Sequence, residues 1–179
     1  WAKASSSIPS ADQQTNLHQR MQPPMEVVEH VAVKNVWSVS ADGFVADFGR
    51  EFQGGLVLSV PNGKAGEVVS ISCGEALAGD VVTYTWGWQF TWTLREGPQT
   101  LEQHKYMECR FVSVNFTGTN SAPDNTTLSA WQVHYPWQEQ DSAFTSSNST
   151  LNAVYELSKY TLNAVSLDTY TDSNTRERR

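Results

Sequence analysis

The 179-residue chain is long enough for one complete domain and part of another, and 39% hydrophobic with 11% aromatic residues is enough for a packed core. Its formal net charge is −7, and three of its twelve basic residues, Arg176, Arg178 and Arg179, fall in the last four positions. The remainder carries no basic patch, which argues against nucleic acid and anionic membrane surfaces as partners and favours a neutral or weakly charged substrate.

Residues 1–25 are rich in Ser, Gln and Pro without periodicity, and read as a linker or the tail of a preceding domain. Pro23-Pro24 leads into a first strand at Met25-Glu26-Val27-Val28. A short strand, Phe44 to Phe48, is entered through Asp42-Gly43. Gly54-Gly55 is expected to break the chain before a strand from Leu56 to Val60. Pro61-Asn62-Gly63 and Ala65-Gly66 then make turns before a strand from Val68 to Ser72. From Tyr84 to Leu94 every even position is apolar: Tyr84, Trp86, Trp88, Phe90, Trp92 and Leu94. That is the strand period, so one face carries the aromatics. The plain reading is that this face lines a core. The alternative is that one or two of the rings form a stacking platform for sugars. Arg110 to Phe116 and Leu128 to Tyr135 alternate as strands too. Many short strands with Gly/Pro/Asn punctuation predict a mainly β fold, an antiparallel sandwich of jelly-roll type, over residues 26–140.

After Pro136 the pattern changes. A Ser/Asn/Thr-rich connection precedes Leu151, Val154, Tyr155, Leu162 and Val165 at helical spacing, with Leu157 alongside. Ser149 or Thr150 is the expected cap of a helix over about 150–164. One helix cannot bury its apolar stripe alone. Residues 141–179 therefore read as the start of a second, helical domain that continues further, or as a helix packed on the sandwich.

Two cysteines, Cys73 and Cys109, fall in predicted strands. They read as buried thiols or as a disulfide between neighbouring strands, and spacing does not decide. Nothing around them or around the four histidines has metal-ligand spacing, so no metal and no cofactor are expected. Three sequons, at Asn115, Asn125 and Asn148, point to a secreted glycoprotein. No apolar run approaches the length of a membrane span.

Beyond the helix, Asp172 and Glu177 stand five apart in a polar segment with Tyr170 and Arg176. Glycoside hydrolysis needs a carboxylic acid to protonate the leaving oxygen and a second carboxylate to activate water or attack carbon. An acid that keeps its proton near neutral pH needs burial or a nearby like charge, and Asp172 can supply that charge to Glu177. On pattern alone, a charged run such as Arg176-Glu177-Arg178-Arg179 is more commonly a solvated segment or a dibasic processing site.

The segment Thr169 to Arg179 resembles the entry to the catalytic domain in α-L-rhamnosidases of glycoside hydrolase family 78, where an Asp is followed by Arg-Glu-Arg or a close variant. Upstream segments agree in order. Met21 to Val27 resembles the family's Pro-Pro strand entry. Val45-Ala46-Asp47-Phe48-Gly49-Arg50-Glu51-Phe52-Gln53-Gly54-Gly55 is similar to its Asp-Phe-Gly-x-x-Phe-x-Gly signature. Gly74-Glu75-Ala76-Leu77, Arg110-Phe111-Val112, Val133-His134-Tyr135, Phe144 and Leu151 to Leu157 follow in register. Cys109 replaces an expected Gly, and Gly55 a usual Trp. The resemblance covers about residues 21–179. It implies a β-sandwich followed by the first helix of an (α/α)6 toroid, and inverting hydrolysis of terminal α-L-rhamnosides by a longer enzyme. It further implies Glu177 as general acid, Asp172 as a sugar-hydroxyl ligand or as the tuner of Glu177, and Arg176 as a substrate contact or as the residue that orients the carboxylates. The general base would lie in the remainder of the catalytic domain, so this piece alone would be inactive. A non-catalytic carbohydrate-binding or bracing β-sandwich is the competing reading.

Overall fold

The computed structural model describes residues 19, 21–83, 88–118, 127–138, 140 and 142–167, with the side chains of 28 and 29 left aside. Nine strands are described: β1 Glu26–Ala32, β2 Asn35–Ser40, β3 Gly43–Gly63, β4 Val68–Gly74, β5 Ala76–Ala78, β6 Val81–Thr83, β7 Trp88–Thr93, β8 Gly97–Phe116 and β9 Thr127–His134. One helix, α1, spans Ser149–Val165. All pairings are antiparallel, and the main sheet runs β1-β9-β3-β8-β4-β7 with β2 on the outer side of β3. β5 and β6 form a separate hairpin.

This is an antiparallel β-sandwich followed by a helix, and two long strands build it. The first part of β3 pairs with β2 and with the end of β8, beside β4 and β7. Its second part pairs with the beginning of β8 and with β9, beside β1. Buried side chains from both parts share one cluster: Val31, Leu56, Leu58, Leu128 and Ala130 from one, and Phe44, Ala46, Val69, Ile71, Val112 and Val114 from the other. β3 and β8 thus pass from one layer to the other, as strands that turn a sandwich corner do. Each large side chain fully buried there stabilises the fold by ~1.5–3 kcal/mol relative to exposure.

The corner is a bulge. Asp47 pairs with Phe111 and Phe52 with Cys109, so Phe48, Gly49, Arg50 and Glu51 stand opposite Arg110 alone. Gly49 takes φ +79°, a left-handed value that suits glycine. The Asp47 carboxylate closes the bulge. Oδ1 accepts from the Gly49 amide at 2.7 Å and from Arg110 Nε at 3.0 Å, and Oδ2 accepts from Arg110 Nη2 at 3.3 Å. The Asp47-Phe48-Gly49 and Arg110-Phe111-Val112 motifs are therefore the two sides of one joint.

Several sequence expectations change. Gly54-Gly55 does not break the chain, because β3 continues through both residues to Gly63. Glycine serves close approach instead: a Cβ on Gly54 would lie 1.7 Å from the Trp131 carbonyl oxygen, and one on Gly55 1.9 Å from that of Gln103. That also explains why no Trp occupies position 55. Strands β2, β5, β6 and the first half of β8 went unread. The helix starts where expected, but its cap is Asn148, whose Oδ1 accepts from the Thr150 and Leu151 amides. Cys73 and Cys109 form a disulfide between neighbouring strands β4 and β8, with Cα atoms 5.5 Å apart, beside the bulge. The replacement of Gly by Cys at 109 thus supplies a cross-link.

The bidentate joint generates a prediction. Asp47→Asn should destabilise the fold by about 1–3 kcal/mol in chemical denaturation at neutral pH. The Arg110 guanidinium foremost, then the Gly49 amide, holds the Asp47 carboxyl below its ordinary range. A depressed carboxyl contributes stability above its unfolded value, and that contribution is lost as pH falls through the folded one. The gap between wild type and variant should therefore narrow as the solution is acidified below about pH 4.

Candidate functional site

The bulge also seats the helix. The Tyr160 hydroxyl donates to the Glu51 carbonyl, and the Arg50 guanidinium lies over the Tyr160 ring, 4.5 Å from its centre. Tyr106 Oη of β8 is 3.1 Å from the carbonyl oxygen of Ala164 near the end of α1 and is also bonded to Gln53 Oε1. Gln53 Nε2 in turn donates to Glu108 Oε1 at 3.1 Å. Gln53 and Glu108 are both buried, so this polar chain ties the sandwich interior to the helix. The exit of the helix is pinned as well: the Tyr135 amide donates to the Ser166 carbonyl at 2.8 Å, and Ser166 Oγ donates to the Leu162 carbonyl at 2.6 Å.

Between helix and sheet lies a cleft of about 200 Å3 lined by Glu51, Phe52, Gln53, Glu108, Tyr160 and Thr161, closed by Ala164 and Val165. Three carboxylates gather here. Glu51, Glu75 and Glu108 each place an oxygen within 4.8 Å of the others. Burial, then Glu75, then Glu108, raise the Glu51 carboxyl above its ordinary range. Sequence reasoning missed this group, because its members come from the bulge, the turn after β4 and an unread part of β8.

Only the far end of α1 is seated. Ala164 is buried, whereas Leu151, Val154, Leu157 and Leu162 are 50%, 53%, 66% and 47% exposed. The helix therefore packs on the sandwich and still leaves most of its apolar stripe uncovered. It is not long and apolar enough to cross a membrane, nor is any other described helix.

The expected aromatic face is found on β7. Trp88, Phe90 and Trp92 are half-buried and pack against the core, with Phe90 and Trp92 edge to face at 5.1 Å. Lys105 Nζ lies 4.6 Å from the centre of the Trp88 ring. That is the core-lining reading, and no flat row of exposed rings stands on the described part of this strand. Tyr84 and Trp86 lie outside the described residues.

The expected catalytic and binding residues Asp172, Arg176 and Glu177 also lie outside the described residues, so the structure neither brings them together nor separates them. It does place the point from which their segment departs: Leu167 follows directly on the pinned Ser166. Of the sequons, Asn115 is exposed near the end of β8, with its Nδ2 donating to Ser113 Oγ at 2.9 Å, and Asn148 is the exposed helix cap. Asn125 lies outside the described residues.

No protein-family model and no curated protein matches the sequence. Solved structures do. A GH78 family rhamnosidase of Bacillus sp. GL1 aligns over 78% of this chain at 27% identity with a TM-score of 0.65. The α-L-rhamnosidase of Streptomyces avermitilis, solved with L-rhamnose, aligns over 87% at 22% identity and 0.68. That of Aspergillus terreus aligns over 85% at 21% identity and 0.66. The chain spans 15%, 15% and 18% of those three proteins. The resemblance to family 78 rhamnosidases is thus matched in three dimensions over most of the chain.

The seat of the helix is testable through Tyr160. Removing the hydroxyl with Tyr160→Phe should cost about 1 kcal/mol, and removing the ring with Tyr160→Ala should cost more. Hydrogen exchange should show the loss first in the α1 amides, with those of β8 and β9 following less.

Proposed function

We propose that this chain is the sandwich and catalytic-domain entrance of an inverting α-L-rhamnosidase. The observation that carries this reading is the structural match to several rhamnosidases over most of the chain, together with the Asp172-to-Glu177 segment set directly after the helix. The substrate would be a terminal α-L-rhamnoside, and the work would be done by the intact enzyme.

In this reading the sandwich, residues 26–140, is a brace. Residues 141–179 open an (α/α)6 toroid, and the exposed Leu151, Val154 and Leu157 are covered by its further helices. Glu177 protonates the glycosidic oxygen. Asp172 binds sugar hydroxyls or holds the Glu177 carboxyl protonated, and Arg176 contacts substrate. The base that activates water stands elsewhere in the toroid, since inversion requires the two carboxyl groups to stand roughly 6.5–9.5 Å apart with a water between. The disulfide and the sequons at Asn115, Asn125 and Asn148 support secretion into an oxidising compartment.

The test is Glu177→Gln in the intact enzyme. A general acid matters most where the leaving group is a poor one. Turnover of an alkyl or sugar α-L-rhamnoside should fall by about 10²–10⁴-fold, and that of an activated aryl rhamnoside far less. Equal losses on both substrates would remove the acid role.

A further inference from the structure

The carboxylate group in the seam has a consequence independent of the rhamnosidase reading. Glu51 sits in the bulge of β3, Glu75 in the turn after β4, and Glu108 on β8. Glu108 is buried and Glu75 exposed, while Glu51 is exposed as a whole residue but has its carboxyl partly desolvated beside the cleft, so one edge of the cluster meets solvent while the other reaches the polar chain through Gln53 and Tyr106 to the Ala164 carbonyl. The same bulge residue that offers the Glu51 carboxyl to the cluster offers its carbonyl to Tyr160 of α1. What strains the cluster therefore acts on the seat of the helix.

We propose that Glu51, Glu75 and Glu108 form an acid-fastened latch: as the medium turns acidic the cluster takes up a proton, carboxyl–carboxylate hydrogen bonding replaces mutual repulsion, and the helix is held more firmly on the sandwich. The Arg50 guanidinium is stacked on Tyr160, and Arg110 is engaged by Asp47. Tyr106 and Tyr160 contribute hydroxyls, and Lys159 and Glu156 are the other titratable groups on this part of α1. The charges that act on Glu51 are those of Glu75 and Glu108, which oppose its ionisation as burial does.

The sign follows from proton linkage. A carboxyl raised on folding binds its proton more tightly in the folded chain. Its stabilising contribution is full below the unfolded value and is lost as pH rises through the folded one. The latch is thus closed below the ordinary carboxylate range and loosened as pH rises through the raised Glu51 value of the folded chain. The exposed edge makes the effect weaker at high salt.

Hydrogen exchange of the α1 amides in the full chain, corrected for intrinsic rates and measured at about pH 4 and about pH 7, tests this directly. In the wild type, protection of α1 relative to β9 should be greater at the acid pH and fall as the pH is raised. Glu75→Gln and Glu51→Gln, which mimic the protonated carboxyl in shape, should each raise protection at neutral pH and flatten the pH response. Glu75 is exposed, so its variant remains informative should substitution in the bulge impair folding. An unchanged pH response in the Glu51→Gln/Glu75→Gln variant would overturn the latch. So would an increase in α1 protection at neutral pH on adding millimolar calcium that both substitutions abolish, because the cluster would then be a cation site.

Discussion

A four-residue bulge closed by one carboxylate organises this molecule. Asp47 grips its own loop at Gly49 and the opposing strand at Arg110, and so fixes the place where β3 leaves one layer and enters the other. The Cys73–Cys109 disulfide ties β4 to β8 beside the same corner. Without the bulge, β3 and β8 would run on as a flat ladder and could not wrap one core. With it, a single pair of long strands supplies both walls.

The corner has a second task. Its outward residues, Arg50 and Glu51, are the ones on which Tyr160 sits. The polar chain from Glu108 through Gln53 and Tyr106 reaches the far end of the helix, and the Tyr135–Ser166 bond anchors the chain beyond it. Packing, hydrogen bonding and the cation over the ring converge on the last turns of α1, while Leu151, Val154 and Leu157 stay exposed. That division of labour suits a helix whose end must be placed accurately on a brace and whose flank belongs to another body. In the proposed enzyme, the segment with Asp172 and Glu177 inherits its starting position from this seat. In that proposal the sandwich acts on catalysis by positioning.

How much of this the sequence revealed follows from how local each signal is. The mainly β character, β4, β7, β9 and the helix were legible because period-two or helical patterns run through them, whereas only the start of β1 was read, its alternation being interrupted between Val27 and Glu29. The first half of β8 was not. Its buried apolar side chains are Met107 and Cys109 before the corner but Val112, Val114 and Phe116 after it, and the other buried positions before it are the polar Gln99 and Glu108, so the apolar period changes phase at Arg110 and hides the strand's continuity. β3 was split at Gly54-Gly55 for a related reason. The glycines there admit the carbonyls of Trp131 and Gln103, an environment created by distant residues. The three glutamates were invisible for the same cause, since each looks like an ordinary charged residue until the corner assembles them. Motif resemblance did better than periodicity at this point, and the Asp-Phe-Gly segment proved to be the joint itself. The candidate catalytic residues 172, 176 and 177 rest on that resemblance alone.

The central claim is that the corner and the helix seat form one mechanical unit. A double-mutant cycle between Asp47→Asn and Tyr160→Ala measures it most directly, since the two side chains act on opposite sides of the bulge and share no direct bond. Denaturation of wild type, both single variants and the double variant gives the coupling. The account predicts a non-additive term of about 0.5 kcal/mol or more, with the second substitution costing less once the first has loosened the bulge. Strict additivity would contradict it, and would reduce the helix to a passenger on the sandwich.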